Sequence, residues 1–550
     1  MGELPAGYLP VEGSDRRPFP GAERLGPADP RQRVTVSVRL RRRPDAPPLP
    51  RPRRGTGHLS RERFTAVYGA DPADIAELVA FARQHGLDVG ETSVARRTVQ
   101  LTGTVAQLQA AFAVDLGHYR AGQASYRGRE GHVHLPAGLV PIVEGVFGLD
   151  DRPQARPLFR RAVPREKRDK DVVETTPGQV AKLYEFPSGT GAEGQCIGLL
   201  EFSGAGFGGG YDPKDVQAWF QRRGAHPPPL TPVGIDGAGN SSGHDEDSDI
   251  EVTLDIVVAG AVAQGARIAV YFAPWTEQGW VDAVAAAVHD AANDPSVISI
   301  SWGYPEFEKS PGQNLTWTRS AMDAVSATFE EAAALGVTVL AASGDFGTDN
   351  GIGDGHAHML YPGSDPYVTS CGGTTLKDIS GSRFTEVLWS DPKMGASGGG
   401  VSAYFDPPSW QAGVDVPASV EDGHHGRGLP DIAGNADPGS GYTLVLYGKN
   451  TRHPIGGTSA TAPLYAGLVA LINAQLKIRL GYLNPTLYEL AASGIYRDVT
   501  CCGTNAWADA PGYHVGKGWD ATTGFGSVRG TALLDELTSD LFAALIPAAD

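Results

Sequence analysis

From residue 195 to residue 345 the chain alternates short apolar runs with longer ones. The order is "QCIGLLEF", "DSDIEVTLDIVVAGAV", "RIAVYFA", "TEQGWVDAVAAAVHDAAND", "VISISWG", "MDAVSATFEEAAALG" and "VTVLAASGD". The short runs lack the apolar-polar alternation of a half-solvated strand, so both their faces must be buried. Strands of that kind belong to parallel sheets covered by helices on both sides. A parallel pair also needs a crossover of a dozen or more residues, and the intervening runs have that length and read as helices. A further apolar helix is expected at "TAPLYAGLVALINAQL". The fold class is therefore α/β, with ligand chemistry expected at the carboxyl ends of the strands. There, "WG" follows "VISIS" and "GD" follows "VTVLAAS".

The N-terminal part reads differently. "VTVSVRL" (34–40) alternates as a half-buried strand does. "DPADIAELVAFARQHG" (71–86) is a helix with Asp71 as N-cap, Pro72 at its first position and Gly86 closing it. Strand-like "RTVQLTG", helix-like "TVAQLQAAFAV" and strand-like "GHYRA" and "HVHLP" follow. This order predicts a small α+β domain of ferredoxin-like type over residues 1–150. Residues 1–33 are rich in Pro, Gly and charge and are expected to be loose. The insert "RRRPDAPPLPRPRRGTGHLS" (41–60) reads as an exposed loop. Residues 151–175 begin with the basic stretch "DRPQARPLFRRAVPREKRDK" and read as an exposed linker that proteases could reach. The α/β domain occupies 176–550.

Charge divides along the same line. Residues 1–170 hold 28 of the 46 Lys and Arg and 19 of the 63 Asp and Glu, net +9, which leaves −26 for the remainder. A basic segment joined to a strongly acidic body is not the profile of a nucleic-acid binder. The basic part is expected to dock on the acidic part, and neutralising carboxylates near pH 4 to weaken that docking. The first twenty residues lack the apolar core of a secretory signal, and no apolar run reaches the roughly 18 residues of a membrane span. The four cysteines show no zinc-type spacing. The adjacent Cys501 and Cys502 could bridge other partners or stay reduced.

"HPIGGTSATAPLYAG" (453–467) places Ser459 in a tight turn before an apolar helix, as a nucleophilic serine is presented. Serine needs a base, and no histidine motif supplies one. His244, in "SSGHDEDSD", lies among acids. Glu251 and Asp255, in "EVTLD", are four apart and share one helix face inside an apolar run. Two carboxyls in a poorly solvated site share a proton, and such a pair can act as base in acid, where histidine is protonated. Asp345, in "AASGDFG", could stabilise an oxyanion only as a neutral hydrogen-bond donor. A solvated acidic helix face and a turn-forming Asp are the plainer alternatives.

Together these residues resemble the sedolisin family of serine-carboxyl peptidases, close to its kumamolisin-like branch. The motifs are "EVTLD", "SISWG", "ASGDFG", "SGGGVSAYF", "GLPDIAGNADPGSGY", "GGTSATAPLYAG" and "VGKGWDATTGFGS", in the family's order. The resemblance implies a subtilisin-like parallel sheet with an N-terminal activation prodomain that serves as intramolecular inhibitor and folding aid. It implies Ser459 as nucleophile, Glu251 as base, Asp255 as the carboxyl bonded to it, and Asp345 as the oxyanion-hole acid acting with the Ser459 N–H. Glu201 and Trp302 match outer members of the carboxyl network. One structural calcium ion is implied, held by Asp498, Asp520 and the carbonyls of Val499, Gly516 and Gly518, a hard-oxygen set. Phe346 departs from the family, where small residues are common, and could reshape the pocket beside the oxyanion hole.

The resulting expectation is an acid-active endopeptidase, made as a self-processing zymogen with its processing site in the linker. It would be an extracellular monomer acting on proteins or peptides, without nucleic-acid or membrane partners. A neutral-pH subtilase using His244 and a non-catalytic calcium-binding surface protein are the rival readings. Asp349 and Asp354, in "GTDNGIGDG", could favour basic substrate side chains or be loop acids.

Overall fold

A computed structural model describes residues 4–50, 57–122, 124–164, 167, 170–203, 208–306 and 317–545. Its centre is an eight-stranded sheet. The spatial order is Leu230–Gly234, Arg267–Ala273, Cys196–Phe202, Val297–Ile300, Thr338–Ala342, Thr369–Ser380 and Arg383–Leu388, with Ile432–Asn435 also paired to Thr369–Ser380. Every pairing is parallel except that of the edge strand Arg383–Leu388. The central strands Cys196–Phe202, Val297–Ile300 and Thr338–Ala342 are buried at every position, as their unbroken apolar runs require.

Helices cover both faces. Glu246–Val262 packs with Thr461–Leu476 on one side, and Glu277–Val288 with Arg319–Ala334 on the other. Asp245 caps the first of these by accepting from Asp247 N, and Thr276 caps Glu277–Val288 by accepting from Gly279 N. The expected α/β domain and its helix assignments therefore stand.

The N-terminal region builds a second sheet from Asp88–Ser93, Thr98–Thr104, Arg33–Leu40 and Val143–Phe147, in that spatial order and wholly antiparallel. Numbered along the chain this is 2-3-1-4, the ferredoxin-like plait. Helices Pro72–Gln84 and Val105–Phe112 pack on it, the first capped by Asp71 with Pro at its start, the second by a Thr104–Gln107 capping box. Several strand assignments change: Asp88–Ser93 and Val143–Phe147, not expected from the sequence, belong to the plait, and neither "GHYRA" nor "HVHLP" does. The fourth strand is Val143–Phe147, whereas "GHYRA" pairs in a separate three-stranded sheet with Glu23–Pro27 and Ala124–Arg129. Alternation alone does not say which sheet a strand joins.

Residues 4–33 are not loose. Tyr8–Pro10 pairs with His134–Pro136, Glu23–Pro27 pairs with Leu116–Ala121, and Arg16 is buried against Glu277, Asp150 and Gln154. A buried guanidinium paired with two carboxylates anchors a segment whose composition reads as disordered. The insert 41–60 is likewise pinned where it is described: Arg42 pairs with Glu330 at 3.1 Å, and Leu59 N donates to Ala334 O. Residues 51–56 lie outside the described set.

The plait docks on the helices Glu277–Val288 and Arg319–Ala334. Arg39 and Arg97 reach Glu331 at 3.5 and 2.9 Å, with all three side chains about 1% exposed. Ser37 donates to Asp282 and accepts from Gln278, and Gln100 donates to Asp236. The basic part thus sits on the acidic part, as the charge division implies.

Beyond the plait the linker does not hang in solvent. Arg156–Pro157 pairs antiparallel with Trp302–Pro305, and Arg160–Arg161 pairs antiparallel with Ile455–Gly456. Leu158 between them is 1% exposed. The expectation of an exposed, generally cleavable linker fails over 156–162. Those residues lie as an added strand along the carboxyl edge of the central sheet.

Candidate active site

Three strand ends and two helices supply the site. Glu201 is the penultimate residue of Cys196–Phe202, Ser301 and Trp302 follow Val297–Ile300, and Asp345 stands three residues past Thr338–Ala342. Glu251 and Asp255 project from the middle of Glu246–Val262. Ser459 lies in the 3-10 turn Thr458–Ala460 that runs directly into Thr461–Leu476. Gly457, at φ +109°, makes the bend. A Cβ there would come 2.5 Å from both Asp345 Oδ2 and Leu158 O, so glycine is the residue that fits.

The structure brings together all six catalytic and network candidates. Each is at most 1% exposed. Trp302 Nε1 donates to Glu201 Oε2 at 2.8 Å, and Ser301 Oγ donates to Asp255 Oδ1 at 2.8 Å. Glu201 lies against Asp255, and Asp255 against Glu251. Burial, followed by the charges of Asp255 and Glu201, raises the Glu251 pKa well above the carboxylate range. Burial does the same for Glu201 and Asp255. Three carboxyls in one dry cluster must share protons. The Ser459 hydroxyl offsets part of the shift at Glu251, but neither Glu251 oxygen has a well-formed hydrogen bond. The hydroxyl points instead to Leu158 O and to Ser301 O, the latter at 3.2 Å.

Asp345 forms the opposite wall. Its Oδ1 accepts from Thr458 N and Thr458 Oγ1, both at 2.8 Å, while Oδ2 has no hydrogen-bond partner and faces the Gly457 bend beside Leu158 O. Burial pushes its pKa up to about 7, against the Thr458 bonds and the charges of Arg160 and Arg156. Below that pH the carboxyl is neutral, and its free oxygen is a donor placed next to a carbonyl. Ser459 N donates to the same Leu158 O at 3.1 Å.

The site therefore already holds a peptide bond. Leu158 presents its carbonyl to Ser459 N, Ser459 Oγ and the Asp345 edge, and its own N–H donates to Ser301 O at 3.1 Å. Its side chain fills an apolar slot with Ala342 and Leu360.

Sequence reasoning did not single out Ser301, Thr458 or Leu158. Ser301 lies inside the quoted "SISWG" and Thr458 inside "GGTSA", but hydroxyls that hold carboxyls carry no spacing signal. His244 is exposed, and the Ser459 hydroxyl has its hydrogen bonds to carbonyls rather than to a histidine. Asp349 accepts from Gly351 N and Gly353 N, and Asp354 from His356 N and the His358 ring, so both shape their own loop. Cys501 and Cys502 are joined to each other, not to other partners, with Cys502 at φ +75°.

Near the C-terminus, Asp498 Oδ2 accepts from Gly518 N at 2.7 Å and Asp520 Oδ2 from Gly516 N at 3.0 Å. Both carboxylates thus grip one loop, 516–520. Burial and the Asp520 charge together raise the Asp498 pKa. Two carboxylates that repel across one glycine loop are hard oxygen donors of the kind a divalent cation takes.

Comparison with known proteins gives a consistent picture. Residues 20–152 match the pro-kumamolisin activation domain, and residues 234–486 the subtilase family. The chain is 44% identical over 546 residues to kumamolisin of Bacillus sp. (strain MN-32), covering 96% of each. It is 32% identical to tripeptidyl-peptidase sed5 of Aspergillus fumigatus, over 96% of this chain and 97% of that one. Pseudomonas sedolisin in complex with pseudo-iodotyrostatin superposes with a TM-score of 0.57 at 27% identity, over 68% of this chain and all of that one. The chain belongs to the sedolisin family of serine-carboxyl peptidases, joined to its own activation domain.

Proposed function

We propose that this self-activating zymogen cuts its own chain between Leu158 and Phe159 and works in acid through its carboxyl set. The observation that carries the reading is the Leu158 carbonyl, held by Ser459 N and faced by Ser459 Oγ. In the first step Ser459 Oγ attacks the Leu158 carbonyl carbon while Glu251 takes the hydroxyl proton. Asp255, held by Ser301 and backed by Glu201 and Trp302, fixes Glu251 and shares its proton load. The Ser459 N–H and the neutral Asp345 carboxyl hold the oxyanion. Collapse expels the Phe159 amine, which receives the proton from Glu251. Water then attacks the Leu158 ester by the reverse proton path, releasing the Leu158 carboxyl and regenerating Ser459.

The all-carboxyl set supports an acid optimum, because a neutral Asp345 is the form that donates. It also supports a compartment of low pH, outside the cytoplasm. Among the described residues no helix is long and apolar enough to cross a membrane. We assign one structural calcium ion to Asp498, Asp520 and the Val499, Gly516 and Gly518 carbonyls. A bound cation would neutralise the two carboxylates, which already hold the 516–520 loop through Gly516 N and Gly518 N.

The test is incubation of purified full-length protein at about pH 4, followed by N-terminal sequencing of the large fragment. A new terminus at Phe159, absent in Ser459→Ala and Glu251→Ala, is the expected result. Processing that persists in either variant would refute the mechanism.

A further inference from the structure

Phe346 follows the oxyanion-hole acid directly. It is half-buried, bridges to Ala396 and meets Trp507 edge-on, ring centroids 6.0 Å apart at 77°. Its remaining face is covered by the linker. The Arg160 guanidinium lies 4.4 Å from the Phe346 centroid and that of Arg156 lies 5.7 Å from it. In an extended strand every second side chain falls on the same face. Arg156, Leu158 and Arg160 therefore all point to the enzyme, on either side of the bond presented to Ser459.

The two arginines are held differently. Arg160 Nε donates to Met394 O at 2.8 Å, which fixes the guanidinium plane over the ring. Arg156 is more deeply placed, with Nε and Nη2 buried and lacking hydrogen-bond partners. What offsets its burial is Tyr304, then the carboxyls of Asp345 and Asp349, with the Phe346 ring on its other side. A side chain at Gly351 would come 2.6 Å from Arg156 Nη1, so that wall is open only to glycine.

We propose that Phe346 is a specificity-determining residue, a platform that selects arginine two residues after the scissile bond and, secondarily, three-residue-deep arginine before it at the position of Arg156. This rests on the serine-carboxyl reading and deepens it by naming a substrate class: peptides of the pattern Arg-Pro-Leu-Phe-Arg, cut between Leu and Phe. Arginine outranks lysine at the second position because a planar guanidinium can stack and still donate to Met394 O. A compact ammonium cannot do both.

The experiment uses the processed enzyme in acid and quenched-fluorescence peptides with that core. A second peptide carries citrulline, uncharged and of the same shape, at the position of Arg160. Cleavage position is checked by mass spectrometry. The expected result is that wild type prefers the arginine peptide by about 3- to 30-fold in kcat/KM, the range of a partly desolvated cation–π contact. Phe346→Leu should bring the ratio close to one, and Phe346→Tyr should keep it. A ratio near one in wild type overturns the proposal without any variant, as does an unchanged ratio in Phe346→Leu. Failure of wild type to cut either peptide would instead overturn the peptidase reading beneath it.

Discussion

Asp345→Asn separates geometry from charge at the oxyanion hole. In the wild type the Asp345 pKa stands at about 7, raised by burial. The donating form is then nearly complete at pH 5 and falls to about a tenth at pH 8. Activity on the alkaline side should drop about tenfold per pH unit once pH exceeds 7. An asparagine can keep Oδ1 as acceptor for Thr458 N and Thr458 Oγ1 and turn its amide toward Leu158 O, where Oδ2 now stands. Its amide donates at every pH. At pH 5 the variant should remain within about tenfold of wild type, while Asp345→Ala should lose about 10²–10³. The assay is kcat and kcat/KM from pH 4 to 9 on a quenched peptide, with the prodomain removed by another protease where self-processing is slow. In Asp345→Asn the alkaline limb should move up or vanish, and the acid limb, set by the Glu251–Asp255–Glu201 cluster, should stay. Asp345→Asn showing the wild-type limb near pH 7 would refute the argument. Because Arg156 and Arg160 hold the value down, an arginine-free substrate should shift the wild-type limb upward.

Four further outcomes follow from the same geometry. Leu158→Ala empties the slot formed with Ala342 and Leu360, and self-processing, followed by gel densitometry, should slow by about 10- to 100-fold, the rate equivalent of about 1.5–3 kcal/mol of leucine burial. Ser301→Ala removes the hydroxyl that favours ionised Asp255, so kcat should fall about tenfold or more, as loss of a hydrogen bond to a charged group implies, with the acid limb displaced upward. Chelation at neutral pH should lower Tm by several degrees in wild type and do little to Asp498→Ala, read by calorimetry. Glu331→Gln takes the buried carboxylate from Arg39 and Arg97 and leaves them Glu144, and the isolated prodomain should inhibit this variant about 10- to 100-fold less tightly, the consequence of about 1.5–3 kcal/mol for a lost hydrogen bond to a charged group.

Much of this was legible in the sequence because it is periodic or carries a motif. The unbroken apolar strands implied a parallel sheet whose carboxyl ends pointed to Trp302 and Asp345, while Glu201 came only through the family resemblance. Glu251 and Asp255 were visible as charges four apart in an apolar helix. The N-cap Asp71 and the Pro after it were visible for the same local reason. What stayed hidden depends on partners far along the chain. Arg16 belongs to a segment that reads as loose until Glu277, 261 residues away, is known to receive it. "RPLFRR" reads as an exposed basic linker because its burial comes from strands at 302–305 and 455–456 that only the fold brings alongside. Phe346 was visible as a departure, but its purpose was not, since the cations it faces lie nearly 200 positions earlier.

The pH dependence of docking differs from what bulk charge suggests. Neutralising carboxylates near pH 4 was expected to loosen the basic prodomain, yet the buried contacts resist this. Burial opposes ionisation of Glu331, but Arg97, His289 and Arg39 outweigh it and hold its pKa far below the usual range. A depressed carboxyl contributes above its free value near 4.5 and is lost only as pH falls through the lower bound one, so Glu331 stays paired at pH 4. Asp236, raised to about 9 by burial and by Asp282, has the opposite sign. Gln100 of the prodomain favours its ionised form and offsets part of that shift, so Asp236 is already neutral well above pH 4 and does not change charge there. His289 is the group with the sign for release. Burial lowers its pKa from 6.5, Glu331 offsetting part, and its ring meets that of Phe64 of the prodomain at a tilt of 44°, centroids 5.0 Å apart. Its contribution is present above 6.5 and lost as pH falls through the depressed value. Carboxylate neutralisation therefore does not reach the Arg39–Arg97–Glu331 contact at pH 4. Acid supplies the neutral Asp345, while the linker already lies on Ser459. Cutting Leu158–Phe159 then turns a tethered inhibitor into a separate one, which loses its effective concentration and leaves on dilution.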